Sequence, residues 1–395
     1  MKQAALGRLV VSFVAIGLSA EAYAQNSVTL YGRIDNGIAF VNHASGSQDL
    51  VSLRHGLSNS RFGFRGSEDL GGGLMAIFQL ENGFNESTGA LGNGGRMFGR
   101  QAFVGLSGQG WGTVTMGRQY DPLVDMIQPI TADNTFSSVT ATPGDVDNYD
   151  NSLRVSNAVK YLSPVWAGLQ LEAMYGFGNV AGGMGQGATY SGAATYTRGG
   201  LSLAAGYFRA NNPEPASGAT RNTSSATNAW TGSSDPLFDG IVNSGYISAA
   251  SISIARAGAQ YSLGSFILSG TYSNSQYRAD GFSTYRGEER FNSGTTSVTY
   301  QWTPALAVGT GYTYMSASGN TSATYNQLFA GAVYSLSKRT SVYAVAGYQH
   351  AGGKQLVQNS NGTTTVQTAQ ASLGSFGYSG TSNQTIAIIG LRTGF

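Results

Sequence analysis

The residues of this chain best placed to do chemistry are isolated cations set against an acid-only stretch. Arg33, Arg61, Arg65, Arg154 and Lys160 each fall in a segment where apolar and polar residues alternate. In the first, Val28, Leu30 and Ile34 share one parity, and Tyr31, Arg33 and Asp35 share the other. Phe62 and Phe64 oppose Arg61 and Arg65, and Val155, Val159 and Tyr161 oppose Arg154 and Lys160. Alternation at period two is a strand between two unlike environments. Residues 120–151, "YDPLVDMIQPITADNTFSSVTATPGDVDNYDN", hold six aspartates and no Lys or Arg, whereas a merely solvated loop would mix the signs. Opposed cations and carboxylates across a narrow wet gap make a transverse field, which orients dipolar solutes and biases which ions pass. Such groups steer solutes without making or breaking bonds.

Motifs for covalent chemistry are weak. "SLSK" (335–338) matches the Ser-x-x-Lys signature of serine enzymes, but it ends a strand at a tight turn and no Ser-Asp-Asn or Lys-Thr-Gly follows. His43, His55 and His350 fall in connections and lack spaced partners, so neither a His-dependent hydrolase nor a metal site is supported. "DVDNYD" (145–150) resembles the opening of a calcium loop, with Tyr149 at a ligand position and no glycine after it. No cofactor, metal centre or enzymatic activity is expected.

The elements that must position the cations follow from composition and period. Residues 1–24 read as a secretory signal: Lys2 and Arg8, a 12-residue apolar run from Leu9 to Ala20, then Ala22-Tyr23-Ala24. That run is too short to span a membrane, which takes about 20 residues. From Gln25 onward there are 20 basic and 19 acidic residues, a balance that gives no footprint for nucleic acid. Cysteine is absent, so no disulfide staples an exported chain. Charged residues make up 11% against the usual ~25%, and 57 glycines double the usual share of about 7%. An exported, charge-poor, glycine- and tyrosine-rich chain without a hydrophobic helix points to a barrel whose strands cross an outer membrane.

The strands are expected near 27–40, 59–69, 74–86, 98–108, 112–119, 152–163, 168–178, 188–198, 200–210, 251–263, 265–275, 291–302, 305–316, 325–336, 340–349 and 385–395. They form one all-β antiparallel domain over residues 25–395. Tight links such as "LGGG" (70–73), "RGG" (198–200) and "SKRT" (337–340) take turns with long polar segments, as in a transmembrane barrel. Tyr, Phe and Trp recur near strand ends, where an aromatic girdle would sit. The non-apolar parity is small and polar, which suits a wet lumen and would make a poor dry core. An arginine on the lipid face would cost about 2–4 kcal/mol near the midplane, so the cations belong inside. A closed structural or adhesive barrel would need bulky inward residues. A barrel enzyme would need a His-centred dyad.

Several segments, "VTLYGRIDNGIAF", "SRFGFRGSEDLGGGLMAIFQLENGF", "GRQAFVGL", "GTVTMGRQ", "YSLSKRTSVYA" and the terminal "GLRTGF", resemble in order the general diffusion porins of Gram-negative outer membranes, of the neisserial and burkholderial type. The resemblance implies a 16-stranded trimeric barrel in contact with outer-membrane lipid and lipopolysaccharide, its third loop folded inward to narrow each pore. It implies a constriction of Arg33, Arg61, Arg100 and Arg154 facing loop acids, here assigned to Asp125 and Asp133. The inward placement of Arg100 rests on the resemblance alone. The bland alternative is that some arginines pair with neighbouring carboxylates such as Asp35 or Glu68 and only set barrel shape. Four bases against two or three acids would give a weak anion preference. The resemblance also makes the terminal strand, ending on Phe395, a signal read by the outer-membrane assembly machinery.

Overall fold

A computed structural model describes residues 27–215, 220–221, 230, 232–235, 237–238, 240–374 and 376–395; the expected signal lies outside the described residues. The first ten strands are β1 (Ser27–Ser45), β2 (Gln48–Arg54), β3 (Arg61–Gly71), β4 (Leu74–Gly83), β5 (Gln101–Gly108), β6 (Gly112–Gln119), β7 (Val155–Leu162), β8 (Leu169–Gly176), β9 (Thr189–Arg198) and β10 (Leu201–Asn211). They continue through β11 (Ser251–Leu263), β12 (Phe266–Arg278), β13 (Glu288–Gln301), β14 (Leu306–Ser318), β15 (Ser322–Ser335), β16 (Thr340–Gln358), β17 (Thr364–Thr368) and β18 (Asn383–Gly394). From β3 to β16 neighbours pair antiparallel in sequence order, β16 then pairs with β18, and β18 returns to β1 with Arg33 opposite Gly394 and Val41 opposite Ile386. The result is a closed barrel of sixteen staves in which the last stave pairs with the first.

Two staves differ from the expectation. The first connection is a hairpin: β1 runs on to Ser45, and β2 returns along its upper half, with Gly37 opposite Arg54. The chain then dips inward over residues 55–60 before β3 resumes the stave beside the lower half of β1. β2 and β3 are therefore one stave broken by an inward excursion. β17 folds back on the end of β16, from Lys354–Thr368 to Gln358–Thr364, beyond the barrel wall.

The outward parity is apolar, as at Val28, Leu30 and Ile34. Exposed aromatics cluster at the tight turns, with Trp111, Trp166, Phe266, Trp302 and Tyr334 among them. A second level is marked by three cross-strand pairs in which a tyrosine hydroxyl donates to an asparagine: Tyr272 to Asn292, Tyr312 to Asn326 and Tyr348 to Asn383. Along β15, eight residues separate Tyr334 from Asn326, a height of roughly 20 Å for a strand tilted about 40°. That matches an apolar band between two amphipathic girdles.

One parity assignment fails at β7. Val155, expected outward, is fully buried and packs inside with Ala158. The register of β6 and β7 shifts between Gly117 and Gln119, and Asn157 sits at φ 52°, a left-handed conformation that Asn tolerates better than most residues. The bulge flips the parity ahead of it.

The interior is also less uniformly small and polar than the sequence suggested. Tyr277, Phe291, Tyr325 and Phe329 point inward and are almost wholly buried. They are covered by the long connections: Val146, Leu237, Val242 and Tyr246 share a cluster with Tyr277, Phe291 and Tyr325, and Phe136 and Val139 share one with Phe329. Far from closing the barrel, these rings make a dry seat for the loops on the β10–β16 side.

Candidate functional site: a charged constriction

The third loop, residues 120–154, enters the barrel and lies along that seat. Asp121 opens α1 (Pro122–Met126) as its N-cap, accepting from the Leu123 amide at 2.8 Å, and it also holds Asn148 Nδ2 at 2.8 Å. α2 (Asp133–Phe136) ends on Phe136, whose ring fills the space a side chain would need at Gly309 and Gly331; a Cβ there would meet it at 2.7 and 2.5 Å. Burying that ring contributes about 2–3 kcal/mol. Further along, Asp147 pairs with buried Arg256 at 3.5 Å, Tyr277 donates to the Val146 carbonyl at 2.8 Å, and Gln327 donates to the carbonyls of Val139 and Ala141 at 3.0 and 2.9 Å. Asp145 binds the Asp150 amide and the Ser152 hydroxyl. Three of the six loop aspartates thus hold the loop in shape.

The other three, Asp125, Asp133 and Asp150, line a cavity of about 280 Å³. Across it stand Arg33, Arg61, Arg100 and Arg154, the four expected cations, together with Arg392 from β18. Arg154 arrives from the loop rather than from a strand parity, its Nη1 donating to the carbonyls of Asn151 and Ser152 at 2.7 and 2.9 Å. Asp125 lies at the cavity's side and pairs with Lys160, which also contacts Glu172 at 3.2 Å. Asp133 is buried, accepts from Gln128 Nε2 and shares a hydrogen bond with Asp150; burial pushes it up to about 6.

The carboxylate that organises the arginines is Glu81 on β4, which the sequence reading passed over in favour of Asp35 or Glu68. Glu81 accepts from Arg100 Nε at 2.8 Å, Tyr31 at 2.9 Å and Tyr120 at 3.0 Å, and lies 3.9 Å from Arg61 Nε. Its inward parity with Gln79 was the available signal. Tyr120 is a second hub: Arg100 Nη2 donates to its hydroxyl at 2.6 Å, and the Arg154 guanidinium lies 5.1 Å from its ring centre. Fixed this way, Arg100 and Arg154 keep little freedom, so their charges have defined positions.

Asp35 faces inward but is not among the residues lining the cavity. It is fully buried and accepts from the amides of Gly56, Leu57 and Ser58 at 3.3, 3.1 and 2.9 Å, and from Tyr343. It pulls the 55–60 excursion into the lumen, which brings Leu57, Ser58 and Asn59 to the cavity wall. Arg65 lies nearer the turns, exposed, 5.4 Å from the Tyr31 ring centre.

The cavity is one link of a chain. Towards the loops it shares Asn59, Arg100, Asp150, Asn151 and Arg154 with a space of about 200 Å³. Towards the turns it shares Arg33 and Arg392 with one of about 280 Å³ that reaches Lys338, Arg339 and Phe395. Asp125 and Pro129 join it to a chamber of about 470 Å³ beneath α1. A polar path of linked cavities therefore runs from the loops to the turns, with loop acids facing arginines at its centre.

Phe395 closes the wall. Its amide and carbonyl pair with the carbonyl and amide of Gly32, both at 3.1 Å, and its ring covers Gly32, where a Cβ would meet ring carbon Cζ at 2.3 Å.

The sequence model of the Gram-negative porin family matches residues 10–354. The chain belongs to that family. This porin is 37% identical over 186 residues to an outer membrane porin protein of Bordetella pertussis, covering 43% of this chain and 47% of that one. It is 35% identical over 178 residues to outer membrane porin protein 32 of Delftia acidovorans, covering 42% and 49%. The porin thus spans about half the length of these relatives. Among solved structures, an anion-selective porin from Comamonas acidovorans has the same fold, with a TM-score of 0.68 at 23% identity over 94% of this chain and all of that one. The barrel is accordingly an outer-membrane barrel, with its tight turns at the periplasmic rim and its long loops outside.

Proposed function

We propose that this porin is a passive, water-filled channel for small hydrophilic solutes and ions, with a preference for anions. The observation that carries the reading is the series of linked polar cavities with five arginines and three aspartates at its centre. Charge rings of one sign bias which ions pass, and the excess here is positive. The Comamonas protein of the same fold is titled anion-selective, in keeping with that sign. Transport through such a path needs no cofactor and no bond chemistry, so the porin is not an enzyme.

The functional unit is a homotrimer. Val28, Leu30, Ile38, Val51, Leu53 and Ile389 form an exposed aliphatic sector around the β18–β1–β2 seam, beyond the row of Tyr–Asn pairs, which starts on β12 and ends at Asn383, the first residue of β18. An apolar face without headgroup anchors suits a neighbouring subunit, and a Vibrio cholerae protein of this fold is described in a trimer form. The rest of the outer face meets lipid and lipopolysaccharide, and Phe395 is recognised by the assembly machinery.

Planar-bilayer recording of purified trimer in a salt gradient tests both statements. Conductance steps in multiples of three with an anion-sided reversal potential are expected. Silence would overturn the channel reading, and a cation-sided reversal would overturn the selectivity alone.

A further inference from the structure

The space above the constriction has a character of its own. Its volume is about 200 Å³, and it is walled by Arg54, His55 and Phe376 on one side and by Arg100 and Arg154 on the other. Arg54 ends β2, and its guanidinium carbon lies 3.5 Å from the centre of the Phe376 ring and 5.0 Å from that of Tyr378. Guanidinium groups are weakly hydrated and stack well on aromatic faces, so the rings hold this cation at the edge of the path. Neither ring can satisfy all its donors. Arg54 Nε and Nη1 are buried without a hydrogen-bond partner among the described residues, and so is Nε of Arg154, a residue 2% exposed.

An unpaired buried donor is costly, and an incoming carboxylate would relieve that cost. The nearby acids leave room for one. Glu86 is engaged with His55 at 3.7 Å and Glu81 with Arg100 at 2.8 Å, so that on the wall itself Asp150 stands with Arg54, Arg100 and Arg154. Phe376 adds an aromatic face to the wall of this space.

We propose that this vestibule is a capture site for small carboxylates carrying a flat apolar body, aromatic carboxylates above all, ahead of the constriction. The proposal rests on the channel reading and deepens it. The carboxylate is held among Arg54, Arg100 and Arg154, and the body lies against Phe376. The site passes its occupant downward because Arg100 and Arg154 also line the constriction. An organic cation of the same shape meets three like charges there.

The test is single-channel recording in potassium chloride, first alone, so that absence of steps is scored against the channel reading and not against this site. Benzoate, acetate and benzylamine are then added in turn to the loop side. Benzoate should produce concentration-dependent current interruptions with dwell times at least tenfold longer than any caused by acetate, and benzylamine should produce none. F376A and R54Q should each shorten the benzoate dwell about tenfold, scored against the variant's own open current. Equal dwell times for benzoate and acetate in the unaltered porin would overturn the proposal, as would block by benzylamine. Undiminished benzoate dwell in both variants would do the same. The comparison of the three probes stands even where a variant fails to assemble.

Discussion

Arg61 and Glu81 form one contact at 3.9 Å, so a substitution at either end removes the same pair. If the pair only braced the barrel, R61Q and E81Q would have the same effect on permeation. If the charges set a field, the two must act in opposite directions. A unit charge about 10 Å from a passing ion changes its energy by about 0.4 kcal/mol in water. Because anion and cation respond oppositely, the permeability ratio moves about fourfold without screening. At 10 mM salt, with a Debye length of about 30 Å, the shift is about threefold, and at 0.1 M it falls below about twofold. R61Q should therefore move the reversal potential in a potassium chloride gradient toward cation preference, and E81Q toward anions. Both shifts should shrink as salt rises. Thermal stability falls further in E81Q, which also removes the Glu81–Arg100 pair at 2.8 Å, than in R61Q, where Glu81 keeps Arg100, and so cannot stand in for the field measurement. Shifts of the same sign, or shifts independent of salt, would refute the reasoning.

Three further outcomes are expected. Asp133 is held near 6 by burial, so lowering the pH from 7.5 to 5 protonates it, removes a negative charge from the constriction and raises anion preference; D133N should abolish most of that change. The sign for folding runs the same way: with its pKa above the unfolded value of about 3.9, Asp133 favours the folded state below pH 4 and loses that contribution as pH rises through 6, which melting curves of D133N against the parent will show. Removing Asp147 leaves Arg256 buried and unpaired, a loss of about 3–5 kcal/mol in the seating of the third loop, visible as noisier and larger conductance steps in D147A. G32A places a methyl into the Phe395 ring and, like deletion of Phe395, should lower trimer yield in a refolding assay, while trimers that form should conduct normally.

Much of the wall was legible because a barrel stave between lipid and water repeats one simple instruction. Val28, Leu30 and Ile34 against Tyr31 and Arg33 can be read directly, since lipid admits few exceptions to the outward pattern. The same rule put Arg33 and Arg61 on the lumen side, whereas the third loop was marked by its charge, Arg100 by the resemblance alone and Arg154 by a strand parity that the structure does not keep. It missed features set by partners distant in sequence. The parity of Val155 depends on a bulge whose cause is the pairing with β6, which no local pattern announces. Arg100 could not be placed by alternation, because Glu81 and Tyr120, 19 and 20 residues away, decide its position. The six aspartates looked alike in sequence. Only the folded loop divides Asp121, Asp145 and Asp147, which hold backbone, side-chain or Arg256 partners, from Asp125, Asp133 and Asp150 at the path. The inward rings of Tyr325 and Phe329 broke the expected small lumen because loops, and not water, cover them.

The double pairing of Phe395 with Gly32 puts the last strand beside the first, with β1 running five residues past it to Ser27 at the same rim. The porin is therefore a ring cut at an arbitrary place. A short linker from Phe395 to Ser27, with a new opening in the exposed connection at 359–363, would give a circular permutant with the same wall and no free aromatic end. In such a chain the seam and the terminus part company. Whether it still reaches the outer membrane would distinguish a residue needed as mortar from one needed as a label.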